Sequence, residues 1–156
     1  LKITLDRDFD HVAHACGKAQ RLSPRLLHLY AALHDMGFAH SIEIRSAFGR
    51  LLGGAYGVAL GHAFVTLGAF GENALMRATA LTVLNRHLRR MDFALHDMVC
   101  DTSGEPLGFR PWSRAAYFRE LVAASGLGRL GRWHVVPALV AAEPAQEEFT
   151  ALRRAA

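Results

Sequence analysis

Cysteine is scarce in this chain, with Cys16 and Cys100 the only two in 156 residues. They stand far apart and in no paired-cysteine motif. The sequence therefore neither demands a disulfide nor suggests a zinc site, and no metal is expected. Long apolar runs are missing too. None reaches the roughly 20 residues that a bilayer-spanning helix needs. No charged-then-apolar leader is visible, so a cytoplasmic protein without a membrane partner is expected. Repeats, low-complexity blocks and linkers are also absent from the sequence. Charged residues make up 21% against 51% hydrophobic, which is globular composition and excludes a disordered chain. The length suits one domain with a real core, taken as residues 1–156. A formal net charge of +4 permits an anionic partner, nucleic acid included, without requiring one.

What the chain does have is glycine in one concentrated run, Gly53-Gly54-Ala55-Tyr56-Gly57-Val58-Ala59-Leu60-Gly61. Read as a strand, it splits by period 2 into two unequal faces. Leu52, Gly54, Tyr56, Val58 and Leu60 point one way; Gly53, Ala55, Gly57, Ala59 and Gly61 point the other. The second face is nearly bare. Glycine inside a strand weakens packing, so a bare row predicts the close approach of a ligand, a helix or another backbone.

Elements around this run follow from periodicity and punctuation. Lys2 to Thr4 reads as a strand. Asp6 to Cys16 reads as a helix, with Asp6 near its positive end and Gly17 as its stop. Ser23-Pro24 starts a second helix that ends at Gly37. His40 to Ser46 is a strand with Ile42 and Ile44 on one side and Ser41 and Glu43 on the other. Ala63 to Leu67 returns from Gly61 as a hairpin partner. Asn73 to Met91 is a long helix, with Arg77, Leu81, Leu84 and Leu88 near one face. Ala94 to Cys100 and Trp133 to Val136 read as strands, and Ser113 to Ala124 and Ala145 to Arg154 as helices. Hairpins mixed with helices give an α+β class.

Asp97 is the first candidate for chemistry. It interrupts the apolar strand Leu95-His96-Asp97-Met98-Val99, where a carboxylate is unfavourable unless paired or set at a cleft. It could orient an attacking amine, or it could sit in a buried ion pair or on an edge strand. The nine histidines are scattered, and no metal-ligand set emerges from them. His40 and His62 flank the glycine-rich strand and are the better site neighbours. Arg86, Arg89 and Arg90 with His87 close the long helix. They suit its negative end, and equally a phosphate-contacting patch. Arg50-Leu51-Leu52-Gly53-Gly54-Ala55 matches an acyl-CoA pyrophosphate pattern. Such loops open a helix, whereas a strand follows here.

Gly37-Phe38-Ala39-His40-Ser41-Ile42-Glu43-Ile44 followed by Gly53 to Gly61 resembles the leucyl/phenylalanyl-tRNA–protein transferase family. Thr4-Leu5-Asp6-Arg7-Asp8-Phe9, Ser23-Pro24, Leu95-x-Asp97, Leu127-Gly128-Arg129-Leu130 and Val136-Pro137 hold the same register. The resemblance runs from about Lys2 to Pro144. It implies a GNAT-like catalytic domain, a mixed sheet flanked by helices as in acetyltransferases. It also implies transfer of an amino acid from charged tRNA to an amine, with aminoacyl-tRNA as co-substrate and no cofactor. By the family's pattern Ala55, Phe64, Ala69, Leu81, Leu84, Leu88 and His96 line the aminoacyl side-chain pocket. Tyr56, Leu67, Phe70 and Val99 are further substrate-binding positions. Plain core packing is the alternative for each.

The departures from the pattern are specific. The family's additional N-terminal domain is not in this sequence, which leaves room for a separate partner chain in its place. Its Gly-Glu-Ser-Met-Phe-Ser aligns with Thr66 to Gly71, so the glutamate is Leu67. Its Asn-Ala-Ser-Lys aligns with Leu75-Met76-Arg77-Ala78. Its Asp-x-Gln pair is Asp97-Met98-Val99, and a tryptophan before the Ser-Pro start is Arg21. Leu67 cannot pair with an N-terminal Arg or Lys of an acceptor, and Val99 cannot hydrogen-bond. Asp97 alone is left to orient or deprotonate the amine, on an ester already activated. The reading is a tRNA-dependent aminoacyltransferase with altered substrates, the acceptor being a peptide N-terminus or a small amine. Arg21, Arg86, Arg89 and Arg90 would contact tRNA. An acyl-CoA-dependent GNAT acyltransferase and a non-catalytic tRNA- or protein-binding homologue are the alternatives.

Overall fold

The computed structural model describes residues 1–98, 109–126, 133 and 151–153. Along them run β1 (Lys2–Leu5), α1 (Phe9–Gln20), α2 (Pro24–Asp35), β2 (Ala39–Arg45), β3 (Leu51–Leu60) and β4 (Ala63–Gly71). They are followed by α3 (Ala74–Arg90), β5 (Leu95–Met98), β6 (Phe109–Pro111), α4 (Arg114–Ser125) and β7 (Ala151–Arg153). Three helix starts carry side-chain caps. Ser23, Asn73 and Ser113 accept from the backbone N–H of Leu26, Met76 and Ala116, satisfying donors that the helix itself cannot.

The described strands form one mixed sheet in the order β1-β2-β3-β4-β5-β7-β6. β1 to β4 pair antiparallel; β4 with β5, and β5 and β6 with β7, pair parallel. The parallel β4–β5 step is made through α3, as a parallel connection requires a crossover. α3 covers one face of the sheet, where Ala55, Ala59 and Phe64 pack with Leu81, Leu84 and Leu88. On the other face, Tyr56 packs with Phe9, Val12 and Cys16 of α1, while Ala63 and Leu95 pack with Tyr117 and Ala124 of α4.

The bare row of β3 is closed by the chain itself. A Cβ on Gly53 would lie 3.1 Å from the Met76 carbonyl oxygen of α3, and one on Gly57 would lie 2.6 Å from the Phe64 ring. A helix backbone and an aromatic ring are what approach. Gly61 does not belong to that row. It is a turn residue at φ +64°, where its hydrogen sits against the end of α4.

Several boundaries differ from the sequence reading. Helix α1 begins at Phe9 and runs through Gly17, ending at Arg21 in the left-handed conformation. Gly17 is a packing position instead of a stop: a Cβ there would meet Leu27 of α2 at 3.1 Å. β4 continues past Leu67 to Gly71 across a bulge. Residues 151–153, expected to be helical, form a strand beside β5, and β6 was not anticipated. The rest of the expected Ala145–Arg154 helix, the strand at 134–136 and the matched segments Leu127–Leu130 and Val136–Pro137 lie outside the described residues.

Candidate active site

The junction between β4 and β5 positions the main candidate. Among the described residues their parallel ladder runs from Ala63↔Leu95 to Thr66↔Met98. On the other edge of β4 the pairs Tyr56↔Gly68 and Gly57↔Thr66 leave Leu67 without a partner across the ladder. A bulge of this kind bends the strand and re-aims its side chains. The freed Leu67 carbonyl accepts from Gln20 Nε2 at 2.8 Å.

Asp97 sits on β5, one residue before that last pair, on an interior strand and not an edge. It is 2% exposed, and its Oδ2 accepts a hydrogen bond from the Tyr117 hydroxyl of α4 at 2.8 Å. Tyr117 escaped the sequence reading, because nothing local links it to a strand 20 residues upstream. The Tyr117 phenol and the apolar residues Ala63, Leu95 and Ala124 make up this part of the α4 face.

Alternation puts His96 on the opposite, α3 face. With Asn85 Oδ1 as acceptor, His96 Nδ1 carries the proton, and Nε2 accepts from Thr66 Oγ1 at 2.7 Å. Burial pushes the ring pKa down to about 3, so the chain Asn85–His96–Thr66 is neutral. Ala55, Phe64, Leu81, Leu84 and Leu88 are buried in one cluster on this face, with Ala69 packed against it. The structure thus brings together seven of the expected pocket positions, His96 touching the cluster through Phe64 at 5.9 Å. Tyr56, Leu67 and Phe70 pack on the other face, with the Tyr56 ring edge-on to Phe9 and Tyr30. Val99 lies outside the described residues.

A second polar group on the α3 face was not foreseen. Asp6, at φ +53°, leaves the first strand and points its carboxylate inward. It accepts from Ser41 N at 2.9 Å and Trp133 N at 2.8 Å, and faces His40 Nδ1 at 2.8 Å. Burial alone would raise its pKa. The hydrogen bond and charge of His40, with the two backbone donors, outweigh burial and hold the carboxyl below its ordinary value. The Trp133 ring stacks on His40 at 4.2 Å and lies 4.5 Å from His87. Burial lowers the His87 pKa to about 4, opposed by Asp6 and aided by His40 and Arg90. Among the described residues, His40 Nε2 and both His87 ring nitrogens are buried without a hydrogen-bond partner. One signal was available: His87 lies three residues after Leu84 and one before Leu88, on the buried stripe of α3.

Three of the four expected cations lie near the C-terminal end of α3, and the fourth caps α1. Arg21 is the exposed cap of α1, Arg86 is half-buried, and Arg89 and Arg90 are exposed in the last turn of α3. Arg50 pairs with Glu72, and the run from Leu51 to Ala55 is strand, so no helix N-terminus awaits an anion there. Burial pushes the Cys16 thiol up to about 12, which makes it a core side chain and not a nucleophile. A groove of about 590 Å³ runs along α2, lined by Ser23, Arg25, Leu26, His28 and Leu29, none of them an expected site residue. Among the described residues no cluster of His, Cys, Asp or Glu could hold a metal ion, and no helix is long and apolar enough to cross a membrane.

A family model described as leucyl/phenylalanyl-tRNA protein transferase matches residues 1–122. The chain is 39% identical over 131 residues to the leucyl/phenylalanyl-tRNA–protein transferase of Ruegeria pomeroyi, a match covering 79% of this chain and 60% of that protein. It is 34% identical over 143 residues to that of Alkalilimnicola ehrlichii, covering 85% of this chain and 55% of the relative. The chain therefore spans about half the length of the curated relatives it matches. Among solved structures, a probable acetyltransferase aligns with a TM-score of 0.59 at 11% identity, over 72% of this chain and 92% of the other. That likeness is one of fold, and it agrees with the α+β, GNAT-like sheet expected from the sequence.

Proposed function

The chain belongs to the leucyl/phenylalanyl-tRNA protein transferase family, and on that premise we propose that it transfers the aminoacyl group of a charged tRNA to an amine. The amine nitrogen attacks the ester carbonyl and an amide forms. The ester bond to the tRNA ribose breaks, and the proton lost by nitrogen ends on the ribose oxygen. The ester is already activated, so positioning supplies most of the rate. The substrates differ from those named for the relatives, because the positions aligned with their acceptor glutamate and catalytic glutamine are Leu67 and Val99.

One observation carries this reading: a buried carboxylate, Asp97, on β5 opposite Val65 of β4, with its Oδ2 held by the Tyr117 hydroxyl. Asp97 accepts a hydrogen bond from the attacking amine, and Tyr117 fixes its orientation. Since Asp97 is 2% exposed, the amine reaches it past the Tyr117 ring. The α3-face cluster of Ala55, Phe64, Leu81, Leu84, Leu88 and His96 packs as core behind β5, and the aminoacyl group meets Asp97 on the α4 face of the sheet. Arg21, Arg86, Arg89 and Arg90 meet the tRNA phosphates, and the protein acts in the cytoplasm.

The test is a panel of charged tRNAs mixed with amine acceptors, scored for product sensitive to prior RNase treatment. Absence of such product from every pair would count decisively against transfer from tRNA. Micromolar binding of coenzyme A would instead favour an acyl-CoA donor. Tight, salt-sensitive tRNA binding that survives Asp97→Ala, with no transfer, would mark a binding protein.

A further inference from the structure

Residues 11–34, most of α1 and α2, contain no Asp or Glu, so nothing within that hairpin offsets Lys18, Arg21 and Arg25. All three are exposed near its connecting end, and none is in a salt bridge among the described residues. Helix electrostatics accounts for Lys18 and Arg21, which suit the negative end of α1. It does not account for Arg25. That residue stands in the first turn of α2, where the helix dipole disfavours a cation and no acid compensates. The groove of about 590 Å³ opens beside it, with Leu26 and Leu29 as apolar lining and Ser23, Arg25 and His28 as polar lining. Position ties this end of the hairpin to the candidate site. α1 and α2 cover the sheet face on which α4 holds Tyr117. Gln20, between Lys18 and Arg21, donates to the Leu67 carbonyl at 2.8 Å. Leu67 is two residues along β4 from Val65, the ladder partner of Asp97, which is about 7 Å of strand.

We propose that this end of the hairpin receives the unpaired 3′ end of the donor tRNA, with Lys18, Arg21 and Arg25 on its phosphates and the α2 groove taking one unpaired base. The proposal rests on the transfer reaction above and gives the donor a direction of approach. The surface chemistry decides the class of ligand. Cations without acids match a polyanion, and apolar surface beside them matches the face of a base. Leu29 is 54% exposed, so a base laid on it takes apolar surface out of water without opening the core. The terminal nucleotide carries the ester and belongs at Asp97. α1 packs over β3 and β4, and α2 further out over β2, so the groove takes a nucleotide before the terminal one. The strand then crosses the end of α1 at Gln20 and Arg21 and reaches Asp97 along the bulged part of β4. Arg86, Arg89 and Arg90, near the end of α3 on the opposite face, are left to the paired part of the tRNA.

The test measures binding of uncharged tRNA, intact or trimmed of its unpaired 3′ nucleotides, by fluorescence anisotropy across a salt series. Lys18→Ala combined with Arg25→Ala should weaken binding of intact tRNA by about fivefold or more. The same variant should flatten the slope of log affinity against log salt by about 1.4, at about 0.7 for each single-strand phosphate released. Leu29→Glu changes an exposed residue and puts a carboxylate into the groove, and should weaken intact tRNA by a similar factor. Trimmed tRNA should bind the wild type more weakly and lose nothing further with either variant. Lys2→Ala removes an exposed cation from the far edge of the sheet and should change neither affinity nor slope. Unchanged affinity and slope in both hairpin variants, or equal losses for intact and trimmed tRNA, overturn the inference while transfer from charged tRNA still stands. A wild type that neither binds tRNA nor forms product from charged tRNA overturns the transfer reading and the inference with it.

Discussion

Tyr117 and Asp97 are held together by one hydrogen bond, and the two roles of that bond separate by substitution. Tyr117→Phe removes a donor from a buried carboxylate and should lower stability by about 1–3 kcal/mol, read as a shifted denaturant midpoint. Asp97→Asn keeps the shape of the side chain and loses its charge. If Asp97 orients the amine, transfer falls at least 100-fold while the midpoint moves far less than the rate. A variant that loses stability without losing rate would reduce Asp97 to a structural carboxylate. Glu43 supplies the internal contrast. It is fully buried and bonded by the hydroxyls of Ser41, at 2.7 Å, and Thr4. The Asp8 N–H adds a third, longer contact at 3.4 Å, and these partners come from β1, β2 and the start of α1.

At the scale of elements, β3 is what the sheet is built around, and Gly57 is its tightest point. A Cβ there would run into the Val65 carbonyl and the Phe64 ring. Gly57→Ala should therefore cost about 1–3 kcal/mol through forced side-chain and backbone shifts, measurable as a fall in Tm. Ser23→Ala, which removes only a helix cap, should cost about 1 kcal/mol. Caps such as Ser23 and Asn73 were readable from the chain because a cap is settled within four residues. The glycine-rich strand was readable because alternation is local too. Gly17 was misread because the residue that decides its role, Leu27, belongs to the next helix. β6 and β7 are three residues long and too short to alternate. The same limit applies to the site. Asp97 stood out as a carboxylate inside an apolar run, whereas Tyr117 and the Asp6–His40–Trp133–His87 group meet only after distant segments fold together.

For the whole molecule, two buried imidazoles set a dependence of stability on acid. His87 and His96 are neutral in the fold, with pKa values lowered to about 4 and about 3, and titrate near 6.5 when unfolded. A lowered folded pKa means that the unfolded chain binds more protons as pH falls through 6.5. Stability is therefore full above that pH and is lost below it, until the folded values are reached. Each ring contributes a slope of up to about 1.4 kcal/mol per pH unit. Unfolding free energies measured between pH 7 and 4 should show this, and His87→Leu should remove roughly half of the two-ring slope. Asp6, with its own lowered value, adds to the loss only below about 4. The order of strands carries a different consequence. β2, β3 and β4 follow one another in the chain and lie side by side, whereas among the described residues β1 stands at the sheet's edge and pairs with β2 alone. Backbone amides of β3, bonded on both flanks, should exchange with deuterium only through global unfolding. Those of β1 should exchange earlier by local opening, taking with them the Asp6 turn that anchors His40 before the rest of the sheet yields.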